Sequence, residues 1–165
     1  MSRFKIISKE QFAADLGKTG HADENLGEVY NQIKLPQRST SGAAGYDFVS
    51  PIGVTLEPGK AVNIPTGVAW IGDEKVFLSI VPRSGLGFKY QMQLANTIGI
   101  VDADYALSDN EGHIHIKIVN RSVDGKTLVI EPGDRIAQGI IMPYLTVDED
   151  NATETRNGGF GSTGK

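Results

Sequence analysis

The chain has 165 residues, of which 39% are hydrophobic and 22% charged, with a formal net charge of -4. That length suits one domain able to bury a core without staples, and the mild acidity offers no polyanion-binding surface, so nucleic acid is not an expected partner. The absence of cysteine excludes disulfides, thiolate catalysis and cysteine-type zinc sites.

In chain order, the opening stretch MSRFKIISKEQF has no apolar run of signal-peptide length, and nothing later approaches a membrane span. A cytoplasmic protein with no membrane partner is expected, which makes the glycosylation-like triplets at Asn120 and Asn151 irrelevant. Ser8 is placed to cap a short helix from Lys9 to Leu16 in which Phe12, Ala13 and Leu16 share a face. Residues 17–28 read as an exposed insertion loop. Gly17-Lys18-Thr19 is no phosphate loop, because position 12 is Phe where that motif needs glycine.

Beyond this point 20 glycines and seven prolines punctuate short runs rich in Val, Ile and Phe. Regular strands between turns predict an all-β fold, a barrel or sandwich, with one short helix at most near the N-terminus. GAAGYDF places Asp47 at the start of a strand, and a carboxylate near phosphate usually serves a divalent ion. PRSGLGFKY follows a strand-like run and offers Arg83 and the small hydroxyl residue Ser84 next to Gly85, an anion-binding turn by composition.

In ANTIGIVDADY, Asp102 follows an apolar run and is a candidate general base at the end of a strand or hairpin; Asp104 should face the other way. HIHIKIVN alternates strictly, with Ile114, Ile116 and Ile118 on one face and His113, His115 and Lys117 on the other. The histidines are therefore expected to point away from the core, an exposed strand face and not a metal pair. GDRIAQGI gives Asp134 and Arg135 as a structural ion pair, with Gln138 beyond. VDEDNATETRN then reads as an extended linker, so that a β domain over 1–145 is followed by a linker and arm over 146–165. The terminal RNGGFGSTGK is too glycine-rich to hold a shape alone, yet its backbone N–H groups, Ser162, Thr163 and Arg156 suit phosphate. Its GxGxxG spacing is spurious as a dinucleotide fingerprint, since no helix can follow.

Taken together and in order, AAGYDF, PRSGLGFKY, NTIGIVDADY, GDRIAQ and RNGGFGSTG resemble the five ordered motifs of the trimeric dUTP nucleotidohydrolases, the dUTPases. The resemblance covers Gly42 to Gly164. It implies a jelly-roll or distorted β-barrel, a homotrimer, and Mg2+-assisted hydrolysis of dUTP to dUMP and pyrophosphate, which limits dUTP and supplies dUMP for thymidylate synthesis. By resemblance Asp102 activates the water that attacks the α-phosphorus. Asn96 and the backbone of Gly99, Ile100 and Val101 would read uracil, and Tyr105 would lie against the deoxyribose and refuse a 2′-hydroxyl.

Arg83, Ser84, Gly85 and Gln138 would hold the phosphates, with Asp47 touching magnesium through water. Arg156, Phe160, Gly161, Ser162 and Thr163 would form the arm, Phe160 stacking on uracil. Each site would draw on three chains. Rival readings on the same fold are a dCTP deaminase-like enzyme, disfavoured by the arm and by Lys117 where those enzymes carry glutamate, and a catalytically idle nucleotide-binding regulatory protein. The sequence departs from the family pattern in the longer stretch ALSDNE after Tyr105, which leaves the contacts of Asp109 and Glu111 open, and in its long N-terminal region.

Overall fold

The computed structural model describes residues 1–21 and 25–153. The chain begins with β1 (Arg3–Ile6), α1 (Lys9–Gly17) and α2 (Leu26–Asn31), then runs through β2 (Tyr46–Val49), β3 (Val54–Leu56), β4 (Ala61–Pro65), β5 (Val68–Ile71) and β6 (Val76–Pro82). After α3 (Ser84–Tyr90) come β7 (Gln93–Leu94), β8 (Gly99–Val101), a 3-10 turn over Ala103–Leu107, β9 (His115–Val119), β10 (Leu128–Ile130) and β11 (Arg135–Pro143). The all-β expectation holds, but among the described residues the ladders do not close into a continuous barrel. They form a four-stranded sheet in the order β2-β11-β6-β8, a three-stranded sheet β4-β9-β7, and the pairs β1-β5 and β10-β3. All are antiparallel, and one hydrophobic core, with Trp70, Phe12, Phe48, Ile64, Leu78, Ile118 and Ile136 at its centre, serves them all.

The expectation of one short helix at most is corrected, because the described residues contain three helices. The predicted helix after Ser8 is α1, and Ser8 Oγ accepts the Gln11 N–H at 3.2 Å as its cap. The supposed loop over 17–28 ends inside α2, which Asn25 caps through the Gly27 N–H and which buries Val29. The third helix, α3, occupies PRSGLGFKY, where a turn was expected. Its two glycines and its lack of a side-chain cap bond at Arg83 hide it from propensity.

In the four-stranded sheet β11 is central, and its glycine is there for space. A Cβ on Gly139 would lie 2.9 Å from both Leu78 Cδ1 and Phe48 Cε2. Against β2 the register of β11 slips: Arg135 faces Val49, Ala137 faces Phe48 and Gln138 faces Asp47, leaving Ile136 as the extra residue of a bulge. Ile136 is buried in the core.

Candidate active site

The bulge decides which side chains share a surface. Residues paired across a ladder point to the same face, so Arg135 and Gln138, three apart and otherwise on opposite faces, both lie on the face of Asp47 and Val49. Gln138 also pairs with Val81 of β6, and Arg83 is two positions further on the same face. One outer face of the sheet therefore gathers Asp47, Gln138, Arg83 and Arg135.

Side-chain geometry completes the cluster. Asp47 Oδ2 accepts from the Ser39 hydroxyl at 2.7 Å and from Arg135 Nη1 at 3.2 Å, while Arg83 Nε lies 3.6 Å from Asp47 Oδ1. Arg135 Nη1 also donates to Ser39 Oγ at 3.0 Å. Two guanidinium groups on one carboxylate leave an excess of positive charge and spare donors. Beside them lies a cavity of ≈ 340 Å³ lined by Lys34, Arg38, Ser39, Asp47 and Arg135 among others, and a more apolar one of ≈ 450 Å³ runs from Arg83 and Ser84 to Phe88 and Met92. A cationic face with forked donors and a hydroxyl suits a chain of phosphates. Ser84 and Gly85 are exposed at the first turn of α3. The expected pair of Asp134 with Arg135 is corrected: Asp134 closes its own turn by accepting the Glu131 N–H at 2.8 Å, and Arg135 reaches across the bulge to Asp47.

A second group of expected site residues lies on the stretch from β7 into the 3-10 turn. Asn96 is exposed where the chain reverses, with Thr97 at φ 68 and the Ile98 N–H donating to the Asn96 carbonyl at 2.8 Å. Gly99, Ile100 and Val101 form β8 and pair with Ile80, Ser79 and Leu78 of β6. Asp102 is the extended residue before the 3-10 turn and is half-buried. Tyr105 is buried; its hydroxyl donates to the His113 carbonyl at 3.1 Å and accepts from Asn110 Nδ2 at 2.9 Å.

Within one chain these two groups stand apart. Val101 is level with Leu78, so Asp102 is level with Phe77, six strand positions from Arg83, or roughly 20 Å. Asp102 and Arg83 cannot both reach one phosphorus in a single copy. Arg156, Phe160, Gly161, Ser162 and Thr163 lie outside the described residues.

The histidines overturn their expectation. His113 is wholly buried and His115 nearly so, because α1 lies over this end of β9 and brings Asp15 against them. His113 Nδ1 is 2.7 Å from Asp15 Oδ2 and His115 Nε2 is 3.4 Å from it. The third partner that the sequence seemed to lack is thus 98 residues upstream. Asp15, Ser39 and the Asp47 contact of Arg135 are the features that sequence reasoning missed, while Glu111, whose contacts it left open, bonds to Ser8. The one legible signal was alternation, which placed the histidines on a common face without revealing its cover.

Comparison with known proteins identifies the family. A family model described as dUTPase matches residues 31–164. Deoxyuridine 5'-triphosphate nucleotidohydrolase of Idiomarina loihiensis is 39% identical over 151 residues, covering 87% of this chain and 93% of the relative. That of Lactococcus lactis subsp. lactis is 39% identical over 135 residues, covering 80% and 89%. Among solved structures, dUTPase from Streptococcus mutans superposes with a TM-score of 0.62 at 36% identity over 72% of this chain and 91% of that one. The dUTPase of phage phi11 of S. aureus, described for its species-specific insert, covers 98% of this chain and 99% of its own at a TM-score of 0.66 and 22% identity, a likeness of fold. A point mutant of the phi11 enzyme is described for the coordination of a structural Mg(II) ion.

Proposed function

We propose, for a chain that belongs to the dUTPase family and hydrolyses dUTP to dUMP and pyrophosphate, that catalysis joins the cationic face of one copy to the Asp102 turn of another. The observation that carries this is the register of β6, which sets Arg83 and Asp102 on one sheet but roughly 20 Å apart. A homotrimer supplies the missing neighbour. Exposed apolar side chains support such burial, with Ile100 57%, Val147 76% and Leu145 95% exposed.

In this mechanism Arg83, Arg135, Ser84, Gly85 and Gln138 hold the triphosphate and orient its α-phosphorus. The neighbour's copy of Asp102 takes the proton of a water aligned opposite the pyrophosphate leaving group, and the P–O bond to that group breaks as the new one forms. Asn96 and the β8 backbone read the uracil edge, and Tyr105 packs against the sugar. Mg2+ bound to the triphosphate would neutralise charge on the leaving group. Asp47 fits that ion through water better than directly, since its Oδ2 already accepts from Ser39 and Arg135 and its Oδ1 faces the Arg83 guanidinium, with Nε at 3.6 Å. Residues 146–165 act as linker and arm, with Phe160 over the base and Arg156, Gly161, Ser162 and Thr163 on the phosphates, so that closure excludes water. Cytoplasmic location belongs to the same proposal, because nucleoside triphosphates are intracellular metabolites.

Replacing Asp102 by Asn tests the assignment. Turnover of dUTP with Mg2+ should fall by about 10²–10⁴-fold while binding of a nonhydrolysable analogue is retained. Near-normal turnover in a trimeric Asp102→Asn protein removes Asp102 from the role.

A further inference from the structure

The N-terminal helix is bolted to the loop that carries Asp102. At its start, Glu111 accepts the Ser8 N–H at 2.9 Å and also the Ser8 hydroxyl, so the cap of α1 is held by the far end of the 102–113 segment. At its end, buried Asp15 accepts from His113, and Gln11 Nε2 and Lys18 Nζ add bonds to Asp15 at 2.8 and 3.0 Å. The His113 carbonyl in turn receives the Tyr105 hydroxyl, and the Tyr105 N–H donates to the Asp102 carbonyl at 3.1 Å. A chain of contacts thus runs from α1 through Glu111 and His113 to Tyr105 and Asp102. The loop has little slack, because Gly112 has φ 71 and a Cβ there would lie 2.6 Å from Ala106 Cα.

A metal could be imagined here, since Asp15, His113 and His115 present ligand atoms within 4.8 Å of one another. The hydrogen bonds oppose it. The Gly67 N–H donates to His113 Nε2 at 2.9 Å, which requires a lone pair there and therefore a proton on Nδ1, the atom facing Asp15. Metal on Nδ1 would shift that proton to Nε2 and set two buried donors face to face. The site is built for protons: an ionised Asp15 receiving neutral imidazole.

We propose that Asp15 and Glu111 are positioning residues, which tie α1 to the 102–113 segment and hold Asp102 and Tyr105 at the angle that attack and sugar selection require. This rests on the roles given to Asp102 and Tyr105 above. Its particular consequence is that loosening either tie widens the space beside the sugar as well as slowing attack, so UTP gains relative to dUTP.

The test measures kcat and KM for dUTP and UTP in the trimeric wild-type protein and in D15A, D15N, E111A and D102N. In D15A and E111A, kcat/KM for dUTP should fall by up to about 100-fold, as for misplacement of a reacting group, and the preference for dUTP over UTP should narrow by about tenfold. D15N keeps an acceptor for the His113 Nδ1 proton and should restore both to within about threefold of wild type. Circular dichroism and sizing confirm folding; should D15A fail to fold, E111A, at a half-exposed position, carries the test. Unchanged kcat and unchanged dUTP preference in folded E111A overturn the proposal, as does stoichiometric zinc in the wild type that D15A loses. An active D102N overturns instead the underlying assignment of Asp102, so the two failures are distinguishable.

Discussion

His113 is a buried imidazole that the fold keeps neutral. Burial, aided by the nearby charge of His115 and opposed by Asp15 and Glu111, pushes its pKa down to about 4, and burial lowers His115 too. Asp15 is also held below the usual carboxylate range: burial works against this, but the bonds from His113, Gln11 and Lys18 prevail. The groups facing this cluster are Asp15, Gln11 and Lys18 from the α1 side and His115 and Glu111 from the β side. Because the unfolded chain protonates His113 near 6.5 and the folded one only near 4, the unfolded state gains protons first as the pH drops. Stability is therefore full above about 6.5, declines between there and about 4, and loses about 3 kcal/mol from this residue. Asp15 adds a further loss below about 4. Urea midpoints from pH 8 to 4 check this: the wild type should lose stability across that window, and His113→Gln should show a flatter profile from a lower start. Equal slopes in the two proteins would show that His113 is protonated freely in the native state.

At the level of elements, much of the β framework was legible because period two is local. Ile114, Ile116 and Ile118 announce a buried face, and Asp47 does lie near the start of a strand, as the second residue of β2. What could not be read depends on partners distant in sequence. The burial of His113 is decided by Asp15 on α1, and the partner of Arg135 by a bulge at Ile136 that redirects it to Asp47. Local chemistry favoured neighbouring Asp134, and only ladder register rules otherwise. The same dependence makes the 102–113 loop sensitive at Gly112, whose φ of 71 any side chain dislikes and whose missing Cβ faces the Ala106 backbone. Gly125 has nearly the same φ, 70, with nothing within 4 Å. Gly125→Ala thus measures strain alone, and should cost about 1 kcal/mol. Gly112→Ala adds a clash with backbone that must move, and should cost about 3 kcal/mol with a rise in KM for dUTP. Urea titration of the two variants decides it; matching losses would mean that the loop yields and is not tightly seated.

For the whole molecule, the separation of Arg83 from Asp102 along β6 makes an argument about assembly that no single residue can make. Six strand positions exceed the reach of an arginine side chain, so the site proposed above, if it joins Arg83 to Asp102, takes the sheet end of one copy and the loop end of another. Symmetry then dictates arithmetic. If Arg83→Ala and Asp102→Asn proteins, each inactive, are unfolded together in equal amounts and refolded, a site is whole when its cationic face comes from the second and its carboxylate from the first. Random assembly makes about one quarter of sites whole, and dUTP turnover should recover to about that fraction of wild type. Mixing the two folded proteins without unfolding is the control, and on the proposed trimer it should give far less recovery than co-refolding. A co-refolded mixture as inactive as its parents, although a sizing column and tagged copies show that the two variants have co-assembled, would place both groups in the same copy and require the sheet to bend far from the observed register.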